Sequence, residues 1–448
     1  MRKILGLAIV AAGVAFAFGH VAQAQEKVVI WWNKGFYEAE DKALRAAIEK
    51  WEKQSGMKVE LSLFATEDMI TKTVSAVESG NPPDLAFGWT FDFRASPTWA
   101  FQGKLEDVSD IIEPLKSKYL PVALDGVNLL NGKTNKRSYY AIPIEQQAEH
   151  VHYWLDMLQD AGIDEKTIPR KWEEFWGFWC DKVQPAVRRK TGQRNYGVGL
   201  PMGTASTDSY YTFYHFLLAY GANWLDKDGK VHVDDPKIKT AMVKALDSYM
   251  SIYKKGCTPP GSMNWTDAGN NENFHNRTTV MTGNPSLSIP GKHLDDKNEE
   301  NYYKKIRTVE WPDKPDGSPI TYMVSVKQAV VFTDSKNKKG AKSFISFLIK
   351  PENLGPYIEG AFGRWYPVMP ELANTPFWTE GKDPHRSVAH KQYTSRELIP
   401  FPQVWNYKAA NVQAENLWGK AMGRVGVDGW TAEKAIDELI ARLKELMA

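Results

Sequence analysis

The chain has no surplus of either charge once its first residues are set aside. Its 56 Lys and Arg exceed its 54 Asp and Glu through Arg2 and Lys3 alone, so removing those two leaves 54 against 54. A nucleic-acid binder gathers a basic excess on one face, and binding to an anionic membrane surface needs one as well. Neutrality argues against both. Long apolar runs are also missing: the run from Ile4 to Phe18 is short for a bilayer span, and nothing comparable follows. Thiols are scarce, with Cys180 and Cys257 the only two. In an oxidising compartment they could pair, but two residues fix no framework, and the favoured expectation is two free, buried cysteines. Catalytic signatures are absent too. There is no Gly-x-Ser-x-Gly, no glycine loop ending in Gly-Lys-Ser or Gly-Lys-Thr, and no His-Glu-x-x-His. No catalytic residue, metal or cofactor is therefore assigned.

What is present begins with a leader. Arg2-Lys3, the apolar run and Ala22-Gln23-Ala24 form an export signal cut after Ala24, which implies a periplasmic protein. No cysteine near that site offers a lipid attachment. The 448 residues exceed the size at which single cores stop growing, so two domains are expected. Tryptophan is abundant at 17 residues. Trp172, Trp176 and Trp179 share one helix face and read as core, whereas Trp89, Trp265 and Trp365 sit among polar residues and fit core packing less well.

The order of elements is α/β. Lys27 to Trp32 reads as a strand, Glu38 to Gln54 as a helix stopped at Ser55-Gly56, Lys58 to Phe64 as a strand and Glu67 to Ser79 as a helix. Asn81-Pro82-Pro83-Asp84 then turns the chain into the short apolar strand Leu85-Ala86-Phe87, followed by Trp89, Asp92 and Arg94. That is a doubly wound start, in which ligands gather at the carboxyl ends of strands. Further on, Glu145 to Trp154 reads as an extended crossover between lobes, Asp208 to Tyr220 as a capped helix, and Thr431 to Met447 as an amphipathic helix. Gly360 to Val368 is a second glycine and aromatic loop.

Six pieces in order resemble the family 1 extracellular solute-binding proteins of ABC importers, the group of maltose-binding protein. They are Val29-Ile30-Trp31-Trp32-Asn33, Lys50-Trp51-Glu52-Lys53-Gln54-Ser55-Gly56, Gly80-Asn81-Pro82-Pro83-Asp84-Leu85, Ile168-Pro169-Arg170-Lys171-Trp172, Gly340 to Leu348, and Gly363 to Pro367. The resemblance implies a periplasmic binding protein fold, with two doubly wound α/β lobes joined by a multi-crossing hinge. By position, lobe one would hold 25–145 with 312–355, and lobe two 146–311 with 356–448. It also implies a monomer that closes on a solute and presents it to permease subunits.

Under that reading the strand-end loops converge on a cleft. Lobe one would supply Asn33, Lys34, Thr66, Glu67, Trp89, Asp92 and Arg94. The facing wall would supply Gln147, Thr204, Ser206, Asp208, Tyr210, Asn284, Arg364 and Trp365. Polar side chains suit hydroxyls that both donate and accept, and an aromatic ring suits the C–H face of a sugar. For Lys34 and Glu67 a solvated helix start fits equally, and for Ser206 and Asp208 a helix cap fits slightly better. His150 and His152 with Glu149 lack a third ligand and read as surface or hydrogen-bonded histidines. The expected function is capture of a carbohydrate or sugar derivative for an ABC importer. The alternatives are an anionic or polyol solute such as a glycerol phosphodiester or sulfonated sugar, held by Arg94 or Arg364, and a secreted glycoside hydrolase.

Overall fold

The computed structural model describes residues 27–448, and the expected export signal lies outside them. Strand β1 (Lys27–Asn33) buries Val28, Ile30 and Trp32, and is flanked in parallel by β2 (Lys58–Phe64) and β3 (Leu85–Gly88). Helices Glu38–Ser55 and Thr66–Glu78 make the two crossovers. The first starts with Glu38, Glu40 and Asp41 at the positive end of its dipole. It stops at Gly56, whose φ of 74° suits glycine. The Pro82-Pro83-Asp84 turn serves to clamp strands. Asp84 accepts hydrogen bonds from the Val29 N–H, the Ser335 hydroxyl and the Asn337 N–H, each at 2.8 Å. At Gly88 a Cβ would lie 2.5 Å from the Phe91 ring, so only glycine lets that ring pack there as the chain turns toward Trp89.

Strands β4 (Asn128–Asn131) and β5 (Lys136–Tyr139) form a separate hairpin. The first large sheet is completed by β6 (Ile142–Gln147), while β7 (His150–Trp154), β8 (Tyr196–Gly199), β9 (Thr279–Asn284) and β10 (Ile306–Val309) make the second, in the order β10-β7-β9-β8. With β11 (Tyr322–Val331), β12 (Tyr366–Pro367) and β13 (Leu398–Pro400), the first sheet has the order β12-β6-β11-β3-β1-β2, and β13 also pairs with β11. The chain crosses between sheets at Ala148-Glu149 and returns over 310–321.

Two features differ from the sequence reading. The segments drawn as lobe two, 146–311 and 356–448, nevertheless give Gln146, Gln147, β12 and β13 to the first sheet. Strands of two or three residues carry no periodicity that would reveal their sheet. Cys180 and Cys257 are joined in a disulfide rather than free. Helix Trp172–Gly177 with its wider continuation Phe178–Val183 brings Cys180 to the end of helix Pro236–Lys254, a proximity that two isolated thiols cannot announce in sequence.

Candidate functional site

A cavity of about 540 Å³ lies between the two sheets. Loops after β1, β2 and β3 bring Phe36, Thr66, Glu67, Trp89 and Phe93 to it, while Gln147, Lys327, Arg364 and Trp365 complete the same wall. Opposite stand Asp208 and Tyr211 at the start of helix Asp208–Ala219, Asp267 and Asn271 around the start of helix Gly269–His275, and Asn284, Ser286, Ser288 and Lys292 after β9. The walls touch at the rim. There the Tyr37 hydroxyl donates to the Ser288 carbonyl at 2.8 Å, and a Cβ on Gly291 would come within 2.7 Å of that hydroxyl.

Eight of the fifteen sequence-derived residues line the cavity, namely Thr66, Glu67, Trp89, Gln147, Asp208, Asn284, Arg364 and Trp365. The other seven stand elsewhere. Asn33 is buried behind the wall, where its Oδ1 accepts from the Trp89 N–H and its Nδ2 donates to Thr66 Oγ1, both at 3.3 Å, tying two lining loops together. Lys34 points to solvent while its backbone extends the β1–β2 ladder through Phe64. Asp92 is turned inward by the helical turn Phe91–Arg94 and accepts from the Ser325 hydroxyl at 2.6 Å. Arg94 pairs with Glu67 at 2.8 Å. Thr204 is exposed, with its carbonyl taken by Asn416. Ser206 donates to Asp267 Oδ1 at 2.9 Å. Tyr210 packs on Phe401 in the core. Residues three apart share a helix face, so Tyr211 and not Tyr210 joins Asp208 at the cavity.

Sequence reasoning missed Lys327, although a lone lysine inside the ten-residue buried strand β11 was a signal. Its Nζ donates to the Trp89 carbonyl and to Ser325 Oγ, both at 2.6 Å. Burial pushes its pKa down to about 8, with the Asp92 charge opposing the shift. Burial likewise raises Asp92 to about 6, with Lys327 opposing. Glu145, fully buried behind the wall, is pushed well up by burial and by the like charge of Glu40. Asp208 is raised by loss of water and by the neighbouring Asp267. His150 and His152 bond to Gln392, Thr308 and Ser286 in the interior, so of the two readings left open they are hydrogen-bonded and not surface histidines.

Aromatic surface dominates one wall. Trp89 and Trp365 lie 5.1 Å apart at 51°, and the Arg364 guanidinium stands 4.4 and 4.2 Å from their ring centroids. The opposite wall offers carboxyl, amide and hydroxyl groups. Such a cleft can hold a polar ring between an apolar face and a set of hydrogen-bonding groups.

Residues 46–387 match the family model described as bacterial extracellular solute-binding protein. The chain belongs to that family. It is a family of binders and not of enzymes, which sets aside the glycoside hydrolase alternative. A putative binding protein of Brucella abortus is 25% identical over 333 residues, spanning 73% of this chain and 72% of that one. Among solved structures, a maltose-bound T. maritima protein, MalE3, matches with a TM-score of 0.72 at 20% identity, over 94% of this chain and 99% of its own. A solute-binding protein of Thermotoga lettingae bound with α-D-tagatose matches with a TM-score of 0.70 at 20% identity, over 95% and 100%. This likeness establishes the periplasmic binding protein fold, as the family resemblance implied. Among the described residues no helix is long and apolar enough to cross a membrane.

Proposed function

We propose that this family member captures a carbohydrate or sugar derivative in the cleft between its sheets and hands it to the permease of an ABC importer. The observation that carries the reading is the pairing of Trp89 and Trp365 on one wall with Asp208 and Asn284 on the other, across a cavity of about 540 Å³. Sugars need both surfaces, because their rings have apolar C–H faces and edges of hydroxyls. The maltose and tagatose held by two proteins of the same fold support the reading. So does the leader, which would place the mature chain in the periplasm from Gln25 onward.

The mechanism is closure of one lobe on the other. A ligand that touches both walls favours the closed state by whatever it gains there and lacks in the open one. The eight lining residues named above are the proposed contacts, with Lys327 and Tyr211 added, and Asn33 and Asp92 hold the wall from behind. We take the first sheet, with Gln146 and Gln147 included, as the core of lobe one and the second as the core of lobe two. A thermal-shift screen over hexoses, disaccharides, sugar acids and polyols tests the function, since specific binding stabilises the native state by mass action. A panel with no stabilising sugar would overturn it.

A further inference from the structure

Arg364 holds an unusual position for a cation. Its guanidinium is caged by three aromatic rings, 4.5, 4.4 and 4.2 Å from the centroids of Phe36, Trp89 and Trp365, and its side chain is 12% exposed. Its Nε and one terminal nitrogen are buried and donate no hydrogen bond. Glu40 Oε1 stands 3.9 Å away, an ion pair beyond hydrogen-bonding reach. Glu40 does not come closer because its oxygens are already engaged, accepting from the Phe36 and Tyr37 N–H groups at 3.1 Å and from the Trp365 indole at 3.3 Å. The result is a guanidinium held on aromatic faces in the cavity wall, with two of its nitrogens buried and their hydrogen bonds unmade. Buried donors in this state are rare in proteins and call for an explanation.

A second cation lies on the same wall. Lys327 stands 5.6 Å from the Trp365 centroid, and its Nζ bonds only neutral oxygens, with a third donor position left. The carboxylates lining the cavity are meanwhile occupied or at its edge. Glu67 is held by Arg94, Asp267 accepts from Ser206 and from the backbone at 207 and 208, and Glu272 is exposed at the rim. Burial and the like charge of Asp267 raise the pKa of Asp208.

We propose that the ligand of this cleft is an acidic sugar, whose oxyanion docks on the Arg364 fork while its hydroxyls meet Asp208 and Asn284. This rests on the carbohydrate reading above and narrows it. A guanidinium offers two parallel donors to a planar carboxylate, a match that the hydroxymethyl group of a neutral hexose cannot use. The aromatic cage then does two things: it fixes the fork's direction and it excludes water from the ion pair.

The test is calorimetric titration of the mature protein with matched pairs. Glucuronate and galacturonate, as monomers and dimers, are set against glucose, galactose and their dimers, with glucose 6-phosphate as a second oxyanion. An acidic member is expected to bind at least about tenfold tighter than its neutral partner, with only part of the difference lost as salt rises, because the pair is largely shielded from solvent. Arg364→Gln should level the pair, and Arg364→Lys should keep part of the preference. Circular dichroism and melting of the unliganded variants check that they fold, and the salt series on the wild type needs no variant. Preference for the phosphate sugar supports the proposal and identifies the oxyanion. A neutral sugar that binds as tightly as its acid partner, or a preference that survives Arg364→Gln, overturns it and leaves the carbohydrate reading standing. If no sugar binds, both fall together.

Discussion

Closure of the cleft should depend on Tyr37 in a way that two substitutions can measure. Its hydroxyl, buried at the rim, donates to the Ser288 carbonyl at 2.8 Å and is a direct polar link between the two walls. In an open protein both groups would meet water, so Tyr37→Phe costs nothing there. In the closed state it removes a hydrogen bond and leaves a carbonyl unsatisfied, a loss of about 1–2 kcal/mol. Because the ligand is held by the closed form, affinity should fall by about 5- to 30-fold, since about 1.4 kcal/mol is tenfold. Gly291→Ala attacks the same contact from the other side, placing a Cβ within 2.7 Å of that hydroxyl, and should also weaken binding. The double variant is decisive. Removing the hydroxyl relieves the clash, so the two effects should be less than additive. Titration calorimetry gives the affinities, and small-angle scattering gives the open fraction. Tyr37→Phe affinity within about twofold of wild type, or strict additivity, would refute the latch.

Trp89→Ala should weaken sugar binding by about 1–2 kcal/mol through lost ring contact, and also lower stability by several kcal/mol because the indole is only 8% exposed. Trp89→Phe, read by titration and melting, should restore most of both. Lys327 has its folded pKa depressed to about 8, below the usual lysine value near 10.4, so its unfolded form binds more protons across that window. Stability should therefore rise by about 3 kcal/mol from pH 8 to 10.5 through this group, a rise absent in Lys327→Met when the two denaturation curves are subtracted. Reducing the Cys180–Cys257 disulfide, which closes a separation of 77 residues, should cost up to about 4 kcal/mol. Urea midpoints with and without reductant check it, and an unchanged midpoint would remove the bond from the account.

Several of these groups were visible before any coordinates. The Pro82-Pro83 turn, the short strand after it and the place of Trp89 just past that strand are local signals, because a proline turn and a run of three apolar residues leave the chain few choices. Arg364 and Trp365 stood out for the same reason, in a loop where a core residue has no periodic pattern to join. What stayed hidden depended on long-range geometry. Asp92 looked like a ligand contact, but a single helical turn carries it under the wall to Ser325, 233 positions away. Tyr210 and Tyr211 differ by one residue and by about 100° of helix rotation, and it is Tyr211, three residues after Asp208, that faces the cleft. Asn33 was placed in the cleft as a contact when it instead fastens Trp89 to Thr66 from behind. Lys327 was passed over inside an apolar strand, where its charge was the only mark of a site.

The central claim is that a sugar lies between the Trp89–Trp365 wall and the Asp208–Asn284 wall. The most direct test is a diffraction structure of the protein with the sugar that stabilises it most. An intact sugar is expected in contact with both walls and with the Arg364 guanidinium. A sugar found on another surface, or touching only one wall, would contradict it.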